Sequence, residues 1–493
     1  MANSEQQKNW STLDKDLNRI SHVEYATAYV SRPLVGLGIA LAFIVLAAMV
    51  ASIFFGSFPN NLVVVAAAGF GAYMAINIGA NDVANNMGPA VGANALTMGG
   101  AIVIAALCES AGALLAGGDV VSTISKGIID PAGFSDAKVF MWAMMAALIS
   151  SALWVNLATF AGAPVSTTHS VVGGVMGAGI AAAGFAAVSW TTMGKIAASW
   201  VISPLLGGLI AASFLAFIKA KIIYQEDKIA AARKWVPVLV GIMASAFATY
   251  LALKGLKRIV EIELPTALLI GVIAGAITYV IAAPLIRKQS EGLENRNKSL
   301  KVLFGLPLVF SAALLSFAHG ANDVANAVGP LAAIVHASEF GDFAAKVAIP
   351  TWVMVIGALG ISFGLFLFGP KLIRMVGEQI TKLNPMRAYC VALSAAITVI
   401  VASWLGLPVS STHIAVGGVF GVGFFREWHA ERRFRKSAAA RPAEKRIAPE
   451  ERQRRKLVRR SHFMTIVAAW VITVPAAAVM SACIFLALNS LIS

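Results

Sequence analysis

Charge is scarce in this chain. Asp, Glu, Lys and Arg make up 13% of its 493 residues while 58% are hydrophobic; soluble domains carry about 25% charged residues. That imbalance excludes the two or three soluble domains its length would otherwise allow. Cysteine is scarcer still. Cys108, Cys390 and Cys483 each sit inside an apolar stretch, a pattern that offers neither a disulfide framework nor a metal site, so they read as small core residues. The period-two alternation of a membrane-spanning strand is missing. Many apolar runs instead approach the ~20 residues a helix needs to cross a bilayer. No secretory leader opens the chain, since residues 1–32 carry four basic and four acidic side chains. The expected fold is therefore an all-α polytopic membrane protein of about 12–13 crossings, some of them broken or re-entrant half-helices.

What charge there is lies unevenly. The net charge is +15, and residues 426–460 alone hold 14 Lys or Arg against 5 Glu. In a membrane protein such a block is an orientation signal facing the cytoplasm, not a nucleic-acid surface. It can also meet anionic lipid. Placing the basic stretches 219–234, 287–301 and 426–460 on the cytoplasmic side makes the arm at 1–32 cytoplasmic as well.

The chain also repeats itself. Gly79-Ala-Asn-Asp-Val-Ala-Asn85 recurs letter for letter at Gly320–Asn326, 241 positions on, and Pro164-Val-Ser-Thr-Thr-His169 recurs as Pro408-Val-Ser-Ser-Thr-His413, 244 positions on. Counting crossings between the basic stretches makes the first heptapeptide run inward and the second outward. That is an inverted repeat, a layout common in secondary transporters. The organisation read from this is a cytoplasmic arm (1–32), an extra span (33–58), a first repeat (62–218), a connector with two spans (219–301) and a second repeat (302–493). A basic cytoplasmic loop (426–461) interrupts the second repeat.

Both motifs put polar groups where hydrocarbon belongs. An Asp near a helix centre costs about 2.5–3.5 kcal/mol on insertion scales, and this chain carries that cost twice. Asn81, Asp82 and Asn85, with Asn322, Asp323 and Asn326, supply the oxygens a hard cation such as sodium prefers, or a carboxylate that takes a proton. Sodium is the candidate metal, at Asp82 and Asp323. Glycines and the Gly-Pro pairs after each heptapeptide would let the helix break and free carbonyls. A seam for helix packing is the competing reading. Ser166, Thr167, Thr168 and Ser410, Ser411, Thr412 read as helix starts, where hydroxyls and N–H groups at the positive end suit an anion such as phosphate; ordinary capping is the alternative. His169 and His413 read as hydrogen-bonding partners within the bundle. Glu109, in the third span, has Gly360 near its matching position and is a candidate cation ligand in one half only. The 119–137 stretch, with Lys126-Gly-Ile-Ile-Asp130, reads as a loop.

With these four motifs in this order, the chain resembles the inorganic phosphate transporter (PiT) family, whose members move phosphate with a coupled cation. The resemblance spans about residues 62–425 and the last span. It implies a cation region at Asn81, Asp82, Asn85, Asn322, Asp323 and Asn326, and phosphate-binding half-helix starts at the two Ser/Thr triplets. It also implies an inverted repeat with transport and scaffold parts, and a homodimer. The function expected is import of inorganic phosphate by symport with sodium or protons, with no cofactor and no enzymatic activity, in a cell membrane. A sulfate or other oxyanion permease is the alternative within the class. An intramembrane hydrolase built on Ser166 and His169 is the alternative outside it, weakened by the absence of a Gly-x-Ser-x-Gly elbow.

Overall fold

The computed structural model describes residues 35–56, 61–134, 136–160, 165–255, 262–340, 349–375, 383–438 and 460–492. The arm at 1–32, Pro164 and the centre of the basic loop, 439–459, lie outside the described residues. The described residues contain no strand, only one isolated bridge between Ile129 and Val188. Eleven helices among them are long and apolar enough to cross a membrane. In order these are α1 (Val35–Phe55), α2 (Asn61–Asn81) continuing as α3 (Val83–Gly92), α4 (Met98–Ala116), α6 (Ala137–Phe160), α8 (Trp190–Ile218), α9 (Lys228–Tyr250), α10 (Leu264–Gln289), α12 (Gly305–Phe340), α13 (Thr351–Met375), α14 (Pro385–Trp404) and α16 (Arg460–Ile492). The shorter or more polar helices are α5 (Gly118–Ser122), α7 (Thr167–Ala183), α11 (Asn297–Leu303) and α15 (Ser411–Ala438). Helices α12 and α14 are buried over most of their length and form the centre, whereas α10 is largely exposed and packs chiefly on α9.

Glycine contacts fix the directions of the central helices. A β-carbon on Gly79 of α2 would fall on the Ile361 carbonyl of α13, and one on Gly364 would fall on the Ile76 carbonyl. The same contact recurs between α12 and α4, where Gly320 lies on the carbonyl of Glu109 and Gly112 on that of Phe317. Numbers rise along one helix and fall along the other, so both pairs are antiparallel. Such close approach is the usual role of small residues between membrane helices. Between α2 and α12 themselves, Gly71 faces Leu331 while Asp82 meets His319 and Asp323. The two heptapeptide helices therefore run in opposite directions, as the inverted count expects. Ser110 and Ser362, equivalent positions on α4 and α13, face each other across the centre with hydroxyl oxygens 2.8 Å apart.

Partners are exchanged between the halves. α2 packs on α13 and α12 on α4; α7 packs on α16 and α15 on α8. Helix α1, the extra span, lies along α13, with Phe43 on Phe363 (4.9 Å between ring centroids) and Phe55 on Trp352 (5.8 Å). A valine at Gly79 or Gly320 is expected to cost about 1–3 kcal/mol by forcing backbones apart. Gly38→Ala, with nothing within 4 Å, should stay within about 0.5 kcal/mol. Unfolding temperatures of the detergent-solubilised variants measure the difference.

Four expectations need correction. The helix is interrupted only in the first copy, at Asp82 between α2 and α3. Helix α12 runs unbroken through Asp323 and Pro330 for 36 residues, because its opposite side is buried by α4, α6 and α14. Part of the supposed loop at 119–137 is helical, through α5 and the turn Thr123–Gly127 that follows it. The segment after Pro408 is not short: α15 extends to Ala438, into the basic stretch. Of the cysteines, Cys390 is buried, Cys108 is half-buried and Cys483 is exposed, and all three are free.

Candidate functional site

The two half-helix starts meet the two heptapeptides at one buried place. Ser166 caps α7 by accepting from the His169 N–H (3.2 Å), and Ser410 accepts from the His413 N–H (3.3 Å). The first N–H groups of each helix have no acceptor within it, so α7 and α15 both bring positive helix ends to this point. Thr168 Oγ1 donates to the carbonyl of Val409 at 3.0 Å, joining the two starts directly. The His169 and His413 rings lie 4.6 Å apart, edge to face, and His169 also lies against Trp200 at 3.8 Å.

The heptapeptide side chains reach across to these helices. Asp82 accepts from Thr167 of α7 through Oδ2 (2.8 Å) and from Thr412 of α15 through Oδ1 (3.3 Å). Asn85 donates to Thr412 Oγ1 (2.9 Å). Asn326 donates to Thr168 Oγ1 (3.1 Å) and Thr167 Oγ1 (3.3 Å). Asn322 donates to Ser403 Oγ (2.9 Å) and to the Leu407 carbonyl (3.1 Å), and accepts from the Val409 N–H (3.1 Å). Asn81 is half-buried at the end of α2, apart from these bonds. Every other candidate of the two Asn/Asp sets and the Ser/Thr triplets lies in this network or beside it.

One residue escaped the sequence reading. His319, wholly buried, lies between two carboxylates: Nδ1 is 2.6 Å from Glu109 Oε2 and Nε2 is 3.0 Å from Asp323 Oδ2. Ligand atoms of Asp82, His319 and Asp323 all fall within 4.8 Å of one another. Asn86 donates to Glu109 Oε1 at 2.9 Å. The available signal was its position: His319 immediately precedes the second heptapeptide, one helical turn before Asp323, where the first copy has Ile78. The structural counterpart of Glu109 is Ile361, not Gly360, because Gly79 and Gly320 contact these two residues in the same way.

The acidic groups here, Asp82, Glu109 and Asp323, outnumber the single imidazole, and all are buried. A cation among them would offset that charge. Among the described residues, Asp323 Oδ1, Asn326 Oδ1 and Ser411 Oγ are buried side-chain oxygens without a hydrogen-bond partner. Buried oxygens are ordinarily paired, and carboxylate, carboxamide and hydroxyl oxygens are each of a kind that a hard cation takes.

Inverted helical repeats, exchanged partners and a polar centre joined to two helix starts define an integral membrane transporter. The comparisons give the family. The chain belongs to the phosphate transporter family, whose model matches residues 78–481. That is a family of permeases and not of enzymes. A candidate phosphate permease of Helicobacter pylori strain J99 is 45% identical over 528 aligned positions, covering 96% of this chain and 99% of that protein. One from Pyrococcus furiosus is 36% identical, covering 85% and 95%. A solved structure described as the sodium-dependent phosphate transporter superposes with a TM-score of 0.77 at 34% identity, covering 87% of this chain and 99% of that one.

Proposed function

We propose that this protein imports inorganic phosphate by symport with a cation, through alternating access of the two repeats, 62–218 and 302–493. The observation that carries the reading is Asp82, whose two oxygens accept from Thr167 on one half-helix and Thr412 on the other. A single carboxylate thus holds together the two starts that would cradle the anion. Phosphate would accept from first-turn N–H groups and from the Ser411 hydroxyl, a typical helix-start geometry for this ligand. Its charge would disfavour that place beside Asp82 and Asp323 unless a cation entered with it. The unpartnered oxygens of Asp323, Asn326 and Ser411 suit sodium, and the similar solved structure carries sodium dependence in its description. Sodium is accordingly the cation this reading favours, with a proton as the other outcome.

Purified protein in liposomes tests it. Uptake of radiolabelled phosphate is expected to rise with an inward sodium gradient imposed at equal pH on both sides. A rise with an inward proton gradient alone would assign the proton instead. Uptake indifferent to both gradients would overturn symport, and sulfate competing as well as phosphate would overturn the substrate.

A further inference from the structure

We infer that His319, anchored by Glu109, is a positioning residue that aims the free oxygen of Asp323 at the coupling cation. The inference rests on the cation-coupled reading above and assigns the cation's place within it.

Pseudosymmetric positions let each half serve as the control for the other. Gly320 contacts Glu109 as Gly79 contacts Ile361. His319 precedes the second heptapeptide where Ile78 precedes the first. The pair Glu109–His319 at the α4–α12 contact therefore stands where the α13–α2 contact has Ile361 and Ile78. The same helix approach is kept in both, so a polar pair is not required for packing. The third member, Asn86, is also unmatched, with Ala327 in its place. Three linked polar residues, Asn86, Glu109 and His319, thus have three apolar counterparts, Ala327, Ile361 and Ile78.

The two aspartates differ accordingly. Asp82, which lacks an imidazole on its own helix, has both oxygens engaged by threonine hydroxyls. Asp323 has Oδ2 in ion-pair contact with His319 Nε2 at 3.0 Å, and its Oδ1 has no hydrogen-bond partner although the residue is buried. Asn326 Oδ1, one turn further along α12, and Ser411 Oγ are unpartnered too. At the equivalent positions in the first half, the Thr167 hydroxyl donates to Asp82, while Asn85, like Asn326, is bonded through its amide nitrogen. Holding one oxygen of a carboxylate fixes the direction of the other, as partners behind a metal ligand do. Glu109 in turn fixes the ring through Nδ1 at 2.6 Å. Glu109 thus acts through His319 and not as a cation ligand itself.

The test copies the apolar α2–α13 pair onto the polar α4–α12 one. The double variant Glu109→Ile/His319→Ile is expected to keep an unfolding temperature near that of the native protein, while His319→Ile alone falls well below it by stranding a buried carboxylate. The wild type first establishes which ion, sodium or proton, drives uptake; no ion dependence there would sink the symport reading and this inference with it, whereas an ion-dependent wild type matched by the variants would sink this inference alone. With that ion titrated, the half-saturating concentration in the double variant should rise about 10–100-fold. Isothermal titration of sodium into detergent-solubilised protein should show the same weakening without any transport step. Glu109→Gln, nearly isosteric, should give a smaller rise in the same direction. A cation response within about twofold of wild type in either variant would overturn the assignment. So would a double variant no more stable than His319→Ile.

Discussion

Asp82→Asn is expected to lose phosphate uptake by about 100-fold or more while the protein still reaches the membrane. Two hydroxyls from opposite halves donate to this carboxylate. Hydrogen bonds to a charged group contribute about 1.5–3 kcal/mol each, and each 1.4 kcal/mol is about a tenfold factor. The carboxamide keeps the shape and one acceptor, so helices α2, α7 and α15 should remain packed. What changes is charge, and with it the attraction for a cation. Asp323→Asn should fail for a related reason, through its unpartnered oxygen. Initial rates in liposomes with matched protein incorporation measure both, and near-native rates in either would remove the aspartates from the mechanism.

Thr167→Val carries the next largest effect. This hydroxyl donates to Asp82 at 2.8 Å and accepts from Asn326 at 3.3 Å. Valine has the same shape and neither capacity, leaving a buried carboxylate oxygen short of a donor. The expected loss is about 1.5–3 kcal/mol, or roughly 10–100-fold in apparent phosphate affinity. Thr167→Ser should retain most of it, since only the hydroxyl is needed; the equivalent position in the second half is Ser411. Uptake against phosphate concentration at saturating cation separates the two variants. Equal behaviour of serine and valine would show that packing, not the hydroxyl, is what position 167 contributes.

Much of this was legible in the letters. Two heptapeptides and two Ser/Thr-His motifs at near-equal offsets gave the duplication, and lysine and arginine placement gave its inversion. The polar residues of both motif pairs, being expensive in hydrocarbon, announced themselves. What escaped detection depends on contacts between segments far apart in sequence. His319 looks like one more buried histidine until Glu109, 210 positions earlier, is found against it. The continuity of α12 was hidden because Gly329 and Pro330 signal a break in isolation, whereas α12 is enclosed by other helices that hold it in register. The charged end of α15 resembles a loop by composition, although charged residues continue a helix readily once it leaves the apolar layer.

The exchange of partners between halves bears on how the chain is made. Helix α2 finds its closest neighbour in α13, about 270 residues later in synthesis, and α7 finds α16 later still. Neither half holds all of its main packing partners within itself. The nascent first half must therefore sit in the bilayer with its glycine-lined grooves filled by lipid until the second half is threaded alongside, in reverse. Contacts so distant along the chain form late. Maturation of this carrier is thus a displacement of lipid by protein, completed only when the final helix leaves the ribosome.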